Sequence, residues 1–394
     1  MSFSQALSGL SAAAMNLDSI GNNIANSQTV GFKSSRVQFA DVYAGSKIGL
    51  GTRVSTVLQN FNDGTLETTN RNMDLGISGN GFFRFIQNDQ VVYSRNGQLT
   101  MTSDGYLINA QGARLTGFPA GVMGGGNPQP LNVPADALEA KATTGVKATL
   151  NLDSRADNID RTTVAFDPAN SNTYTYANSA TVFDSLGNAH NTTLYFTKVA
   201  ENQWEVKQAR GGEVAPETGT LNFSQNGILT SSVGVDSFTF SPGGGALDMN
   251  LALDFTGSTQ FGNDFQLSSL NQDGYTSGSL VGVIIDNKGN VVGNYANEQT
   301  KILGTIVLAN FRNPEGLTPM GDNVWVETSS SGQPLVDVPG TGLLGSIESG
   351  TVEMSNVELS KELVNMIIAQ RTYQANAQTV KAQDEVLQTA INLR

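Results

Sequence analysis

His190 is the one histidine among the 394 residues, and cysteine is absent. A zinc site or a thiolate nucleophile needs several imidazoles or thiols converging on one point, so the chain carries no metal-ligand set. His190 lies in Leu186-Gly187-Asn188-Ala189-His190, beside turn residues, and reads as a surface or turn histidine rather than a catalytic base. Gly340-Thr341-Gly342-Leu343-Leu344-Gly345 has the spacing of a phosphate-cradling glycine loop, but such a loop needs a strand before it and a helix after it. Pro339 precedes this one, and it reads as a connecting loop. GISGNG, starting at Gly76, misses the nucleophile-elbow spacing by one residue and has no histidine near it in sequence. The 35 acidic residues are numerous enough for a glycosidase-type pair, which the sequence leaves open, although aromatics at 7% do not mark out a sugar-stacking cleft. Asn191-Thr192-Thr193 and Asn222-Phe223-Ser224 match the glycosylation triplet, a chance match in a chain so rich in Asn and Thr. The expectation is no catalytic residue, no metal and no cofactor.

Composition narrows the remaining classes. A formal charge of −13 opposes nucleic-acid binding, which rests on clustered Lys and Arg. The charge is unevenly placed: residues 1–70 sum to zero and residues 351–394 to −1, so the middle carries −12. Near-neutral ends can lie side by side without repulsion, while an acidic middle favours solubility. Forty-three glycines, with much Asn, Ser and Thr, point to short strands joined by tight turns. No basic residue precedes Lys33 and no continuous apolar stretch follows the first methionine, so no Sec signal peptide is expected. No apolar run is long enough for a membrane-spanning helix.

The elements able to position anything are the two ends. Phe3, Leu7, Leu10, Ala14, Leu17, Gly21 and Ile24 step by alternating fours and threes, the spacing of a coiled-coil seam. Ser2 to Gln5 offers a capping box for this helix. Leu359, Leu363, Met366, Gln370, Tyr373, Ala377, Val380, Asp384, Leu387 and Ile391 repeat the alternation at the other end. Ser355-Asn356-Val357-Glu358 reads as its capping box, and no Gly or Pro interrupts the chain from there to Arg394. A long terminal helix with a narrow apolar stripe needs a partner. The matching seams predict that the two ends pair with each other and with copies of themselves, the small Ala12, Ala13 and Ala14 permitting close packing. Between the first helix and the body lies Gly21-Asn22-Asn23-Ile24-Ala25-Asn26, continuing to Gly31 and Phe32. Asn and Gly tolerate left-handed backbone and redirect a chain, so this stretch reads as a joint.

Residues 11–36, SAAAMNLDSIGNNIANSQTVGFKSSR, and residues 355–394 resemble the N- and C-terminal signatures of the axial rod and hook proteins of the bacterial flagellum. MDLGISGNGFFRF (73–85) and YSRNGQLTMTSDGYLINAQGARLTGF (93–118) are similar to that family's first β domain. VFDSLGNAHNTTLYF (182–196), NQDGYTSGSLVGVIIDNKGNVVGNYANEQ (271–299) and LANFRNPEGLTPMGDNVW (308–325) resemble its hook members. The likeness covers nearly the whole chain and is weakest over about 200–265.

Hairpin signals such as Asn80-Gly81, Asn96-Gly97, Asp104-Gly105 and Asp273-Gly274 recur through the middle. The expected fold is mainly β with long terminal α-helices: nested, discontinuous all-β domains plus an N/C-terminal helical coiled-coil core. Residues 1–70 and 350–394 would form the helical core and joint, 71–144 and 276–349 the first β domain, and 145–275 an inserted outer β domain. The resemblance implies a non-enzymatic subunit that self-assembles into the hook, a flexible curved tube transmitting torque from rod to filament. It also implies partners: further copies of the chain, the distal rod protein, the hook-filament junction protein, the hook cap protein, the hook-length control protein and the type III export apparatus. The expected polymer interface is Phe3, Leu7, Leu10, Leu17 and Ile24 with Leu359, Leu363, Met366, Tyr373, Val380, Leu387 and Ile391. The joint is Asn22, Asn23, Asn26, Gly31 and Phe32. The Gly/Pro loop around Gly121, Gly124, Gly125, Gly126 and Pro128 is expected to reach a neighbouring subunit, as in the family. A distal rod subunit and, more remotely, a secreted β-rich enzyme or adhesin are the alternatives.

Overall fold

The computed structural model describes residues 3–43, 49–122 and 125–392, with side chains up to Thr389 in the last helix. Ser2, Gly124 and the side chain of Ile391 lie outside the described residues. The chain divides into two compact units, one of Met1–Ala135, Gly282–Asn294 and Thr300–Arg394, the other of Asp136–Val281 and Tyr295–Gln299.

The first unit contains both helices. Helix α1 spans Phe3–Ala25 and α2 spans Leu359–Asn392, 34 residues and about 50 Å of rise. After α1 comes an antiparallel hairpin, β1 (Ser35–Asp41) and β2 (Thr52–Gln59), which pairs with no further strand among the described residues. Strand β3 (Leu66–Thr68) then runs antiparallel to Thr351–Glu353, and Asp74–Ser78 antiparallel to Ser346–Ser349. The outgoing and returning chain are thereby stitched together beside the helices.

The sheet of this unit places Thr300–Ile306, Arg114–Pro119, Phe82–Gln87, Gln90–Ser94, Val324–Val326 and Thr318–Gly321 in that spatial order. One cluster of its core is aromatic: Phe82, Tyr93, Phe311 and Trp325 are buried, and Phe61 packs edge-on against Trp325 at 5.5 Å. The Trp325 indole N–H donates to Gln59 Oε1 at the end of β2.

The second unit is a sheet-on-sheet core. Gly145–Asp153 alternates buried and partly exposed residues, the period-two pattern of a strand with one dry face. It centres a five-stranded sheet, while Tyr176–Phe183, Ala189–Ala200, Gln203–Arg210, Gly219–Phe223 and Leu229–Val233 line up in a second. Val146, Leu150, Leu152, Phe196, Trp204, Val206, Phe238, Leu251 and Phe255 fill the space enclosed by these strands. Trp204 is fully buried, and its indole N–H donates to Gln260 Oε1 at 2.8 Å.

Helix α2 begins at Leu359, later than a capping box at Ser355 requires. Asn356 explains the delay. Its Oδ1 accepts from the Ser34 amide at 2.8 Å and its Nδ2 donates to the Asn60 and Asn62 carbonyls at 2.7 and 3.0 Å. These bonds hold residues 355–358 against the joint, and the first helical bond runs from Glu362 N–H to Glu358 O at 3.0 Å.

Candidate functional site

The described residues contain no group of three or more His, Cys, Asp or Glu side chains able to hold a metal. His190 Nε2 lies 2.8 Å from Asp184 Oδ2 in a turn where Asp184 also accepts from the amides of Leu186 and Asn188. Burial raises the Asp184 pKa, but the bonds from His190, Asn188 and those amides outweigh it and hold the carboxyl well below the usual carboxylate range. That is turn architecture. Gly340 N–H donates to Gly345 O at 2.9 Å, closing the Gly340–Gly345 loop on itself, and a strand follows rather than a helix.

What the first unit builds instead is a helix pair and a joint. Ala6, Ala12 and Ala13 of α1 are buried, and a Cβ placed at Gly9 would sit 3.0 Å from the Asn376 side chain of α2. At this point the two helices meet through Gly9 and Asn376, with no large side chain between them. Phe3 and Leu7 are exposed, as are Leu359, Leu363, Tyr373 and Leu387; Leu10, Leu17, Ile24, Met366 and Val380 are partly covered. Ala369 is the one buried side chain among the described residues of α2, whereas eight large apolar side chains on that helix stand exposed. A stable helix in water normally buries its apolar stripe. This one presents it.

Polar pins fix α1 on the hairpin. Ser8 Oγ accepts from the Thr52 amide at 3.2 Å, and Ser19 Oγ donates to Ser35 O at 3.2 Å. Asn23, 2% exposed, donates to Ser35 O and accepts from Ser35 N–H, both at 2.9 Å. Asn26 caps the helix end by donating to Asn22 O and Oδ1 at 3.0 Å, and Thr29 Oγ1 donates to Asn26 Oδ1 at 3.1 Å. Gly31 has φ +70°, and a Cβ there would lie 2.7 Å from the Asn96 amide nitrogen, so the turn requires glycine. Phe32 N–H donates to Thr29 O at 3.2 Å, closing the turn. A cleft of about 670 Å³ opens here, lined by Asn23, Ser35, Asn60, Lys361, Asn365 and Ile368 among others.

Below the joint lies an ion cluster that sequence reasoning missed. Lys33 Nζ is 2.7 Å from Glu353 Oε1 and also donates to Asn62 O at 2.7 Å. Arg95 Nε is 2.9 Å from Glu353 Oε2, its Nη1 donates to the Gly79 and Gly81 carbonyls, and its Nη2 pairs with Asp63. Lys33, Arg95 and Glu353 are all buried; Asp63 is half-exposed. Burial, and then the Arg95 guanidinium, pull the Lys33 ammonium below its usual range, with the Glu353 carboxylate opposing them. Lys33 and Glu353 stand 320 residues apart, beyond the reach of any local pattern.

The Gly/Pro loop leaves the sheet after Pro119 and returns at Gln129–Pro130, which pairs with Gly117 and Thr116. Arg84 reaches the Pro128 carbonyl at 3.5 Å. Gly121 and Gly125 have φ +83° and +76° with no atom near a would-be Cβ, while Gly126 lies beside Val122 and Phe118.

Two β-rich units with paired terminal helices are the architecture expected of an axial flagellar protein, and comparison with known proteins supplies the family. Residues 4–33 match the flagella basal body rod protein family, 76–146 the flagellar hook protein FlgE/F/G D1 domain, 151–275 the flagellar basal body protein FlaE D2 domain, and 348–393 the flagellar basal body rod FlgEFG protein C-terminal family. The chain is 48% identical to flagellar hook protein FlgE of Salmonella typhimurium and 47% identical to that of Escherichia coli K12, over the full length of both chains in each case. Identity to the hook protein of Borreliella burgdorferi is 33%, covering 98% of each chain. The crystal structure of Helicobacter pylori hook protein FlgE2 shares the fold, with a TM-score of 0.53 over 74% of this chain and all of that one at 12% identity.

The chain belongs to the flagellar hook protein FlgE family. It is a structural subunit of the hook, an extracellular part of the flagellum, and the rod reading is not favoured. Among the described residues no helix is long and apolar enough to cross a membrane.

Proposed function

We propose that copies of this chain stack through their terminal helices to form the hook's inner core, and that the resulting tube transmits torque while bending. One observation carries the proposal: α2 is a 34-residue helix with a single buried side chain among those described. Its exposed Leu359, Leu363, Tyr373 and Leu387, with Phe3 and Leu7 of α1, would be covered by neighbouring copies. Residues 1–70 and 350–394 then act as axial core and joint, 71–144 and 276–349 as a first β domain, and 145–275 as an outer one. Apolar packing along the axis resists torsion, whereas acidic, glycine-rich outer surfaces make small polar contacts that can slide.

The Gly121–Pro128 loop reaches a neighbour in this reading. The distal rod protein lies below, the hook-filament junction protein above, and the hook cap protein, hook-length control protein and type III export apparatus act during growth. Leu363→Asp tests the core. Electron microscopy should find no tubes while calorimetry finds both β units folded; tubes of normal yield and diameter overturn the proposal. Deleting residues 121–129 should lower polymer yield, and unchanged yield removes the loop from the interface.

A further inference from the structure

We propose that Glu353 is the keystone of a lock that lets the joint order only when both ends of the chain are docked together. The proposal concerns the single subunit and does not depend on how copies stack. Glu353 lies on the returning strand, yet its groups reach three other segments. Oε1 accepts from Lys33 Nζ at 2.7 Å and from the Gly64 amide at 2.8 Å. Oε2 faces Arg95 Nε at 2.9 Å, and the main-chain carbonyl accepts from Gly31 N–H at 2.7 Å. The outgoing segment, the chain after β2 and the β domain therefore all close on one residue of the returning segment.

Charge makes the closure conditional. Without Glu353 the site holds two cations, Lys33 and Arg95, and Asp63 on its half-exposed rim offsets one of them. One uncompensated buried positive charge remains, which a low-polarity site tolerates poorly. Docking Glu353 brings the cluster to neutrality. Backbone fit is equally demanding: a Cβ at Gly64 would lie 1.9 Å from Met354 O, so the two segments meet without room for a side chain.

Amide exchange on full-length protein distinguishes a lock from an ordinary local contact. Glu353→Gln removes the anion and keeps the shape. It should raise exchange roughly 100-fold in peptides 27–36 and 60–66 as well as 350–358, the expected scale for breaking a buried pair. Peptides of 190–210 in the second unit should be unchanged. Lys33→Met combined with Glu353→Gln leaves Arg95 with Asp63, restores neutrality, and should return all three joint peptides to within about tenfold of the parent protein, closer than Glu353→Gln alone. Loosening confined to 350–358, or a double variant as labile as Glu353→Gln, overturns the proposal. If Glu353→Gln alone does not fold, recovery of a folded double variant supports the lock, and failure of both overturns it.

Discussion

The second unit and the terminal helices solve opposite problems with the same twenty side chains. In the second unit Phe196, Trp204, Phe238 and Phe255 are sealed away, and the one buried indole N–H has its own acceptor in Gln260. At the ends of the chain the order is reversed: Asn23, Lys33 and Glu353 are buried and Leu7, Leu363 and Leu387 face outward. A closed apolar core makes the unit complete by itself. An outward-facing apolar stripe over buried polar pins is the surface that the proposed stacking of copies would cover.

The contrast is sharpest under substitution. Trp204→Ala should lower the stability of the second unit by about 3–5 kcal/mol, since it removes a large buried side chain and strands Gln260; a calorimetric transition that does not move would break the comparison. At the helix contact, Gly9→Leu should cost about 1–3 kcal/mol by overpacking against Asn376, measured as faster amide exchange in α1 with the second unit untouched.

Acid should act next. The Asp184 carboxyl titrates in the folded state below its ordinary value of 3.8, as does Asp273, whose burial is outweighed by bonds from the Gly145 and Thr144 amides, the Thr144 hydroxyl and Lys141. A depressed folded pKa means that the unfolded chain binds protons first. The stabilisation is therefore whole above pH 3.8 and drains away as the pH falls towards the folded value. The second unit's melting temperature should drop on acidification from pH 5 to pH 2, by about a few degrees for each kcal/mol lost, and less steeply in Asp184→Asn. An equal slope in that variant would show that the turn is not responsible. Asp273 is more exposed and contributes less.

The smallest effect belongs to Leu387→Asp. An exposed helix position should change subunit stability by no more than about 0.5 kcal/mol, even where polymer yield falls. A large loss of subunit stability would mean that α2 is finished by its own chain.

Much of this division was legible in the residue order. The 4-3 spacing located both helices, and the solitary His190 in a turn-rich stretch was readable as architecture. The Asx-Gly pairs marked turns but not always hairpins: Asp104-Gly105 joins the paired strands Thr100–Met101 and Leu107–Ile108, whereas the strands flanking Asn80-Gly81, Asn96-Gly97 and Asp273-Gly274 pair elsewhere. Three features were not. A 3.5-residue period weights bulky side chains, so it passed over the close approach of Gly9 to Asn376 between the two helices. Small residues allow the nearer approach. The capping box at Ser355 was a sound local signal, overruled because Asn356 bonds to Ser34, Asn60 and Asn62 across nearly 300 residues or more. The Lys33–Arg95–Glu353 cluster had no local signal at all, since each member is an ordinary charged residue until folding joins them.

The two tryptophans of the chain fall one to each unit, both buried and each donating its indole N–H to a glutamine. The molecule thus carries two built-in optical gauges. Trp325, tied through Gln59 to the end of β2, listens to the neighbourhood of the joint, and Trp204 to the interior of the second unit. Replacing either one with phenylalanine leaves a single-colour reporter, so bending, melting or assembly of a hook subunit can be followed one half at a time without attaching a dye.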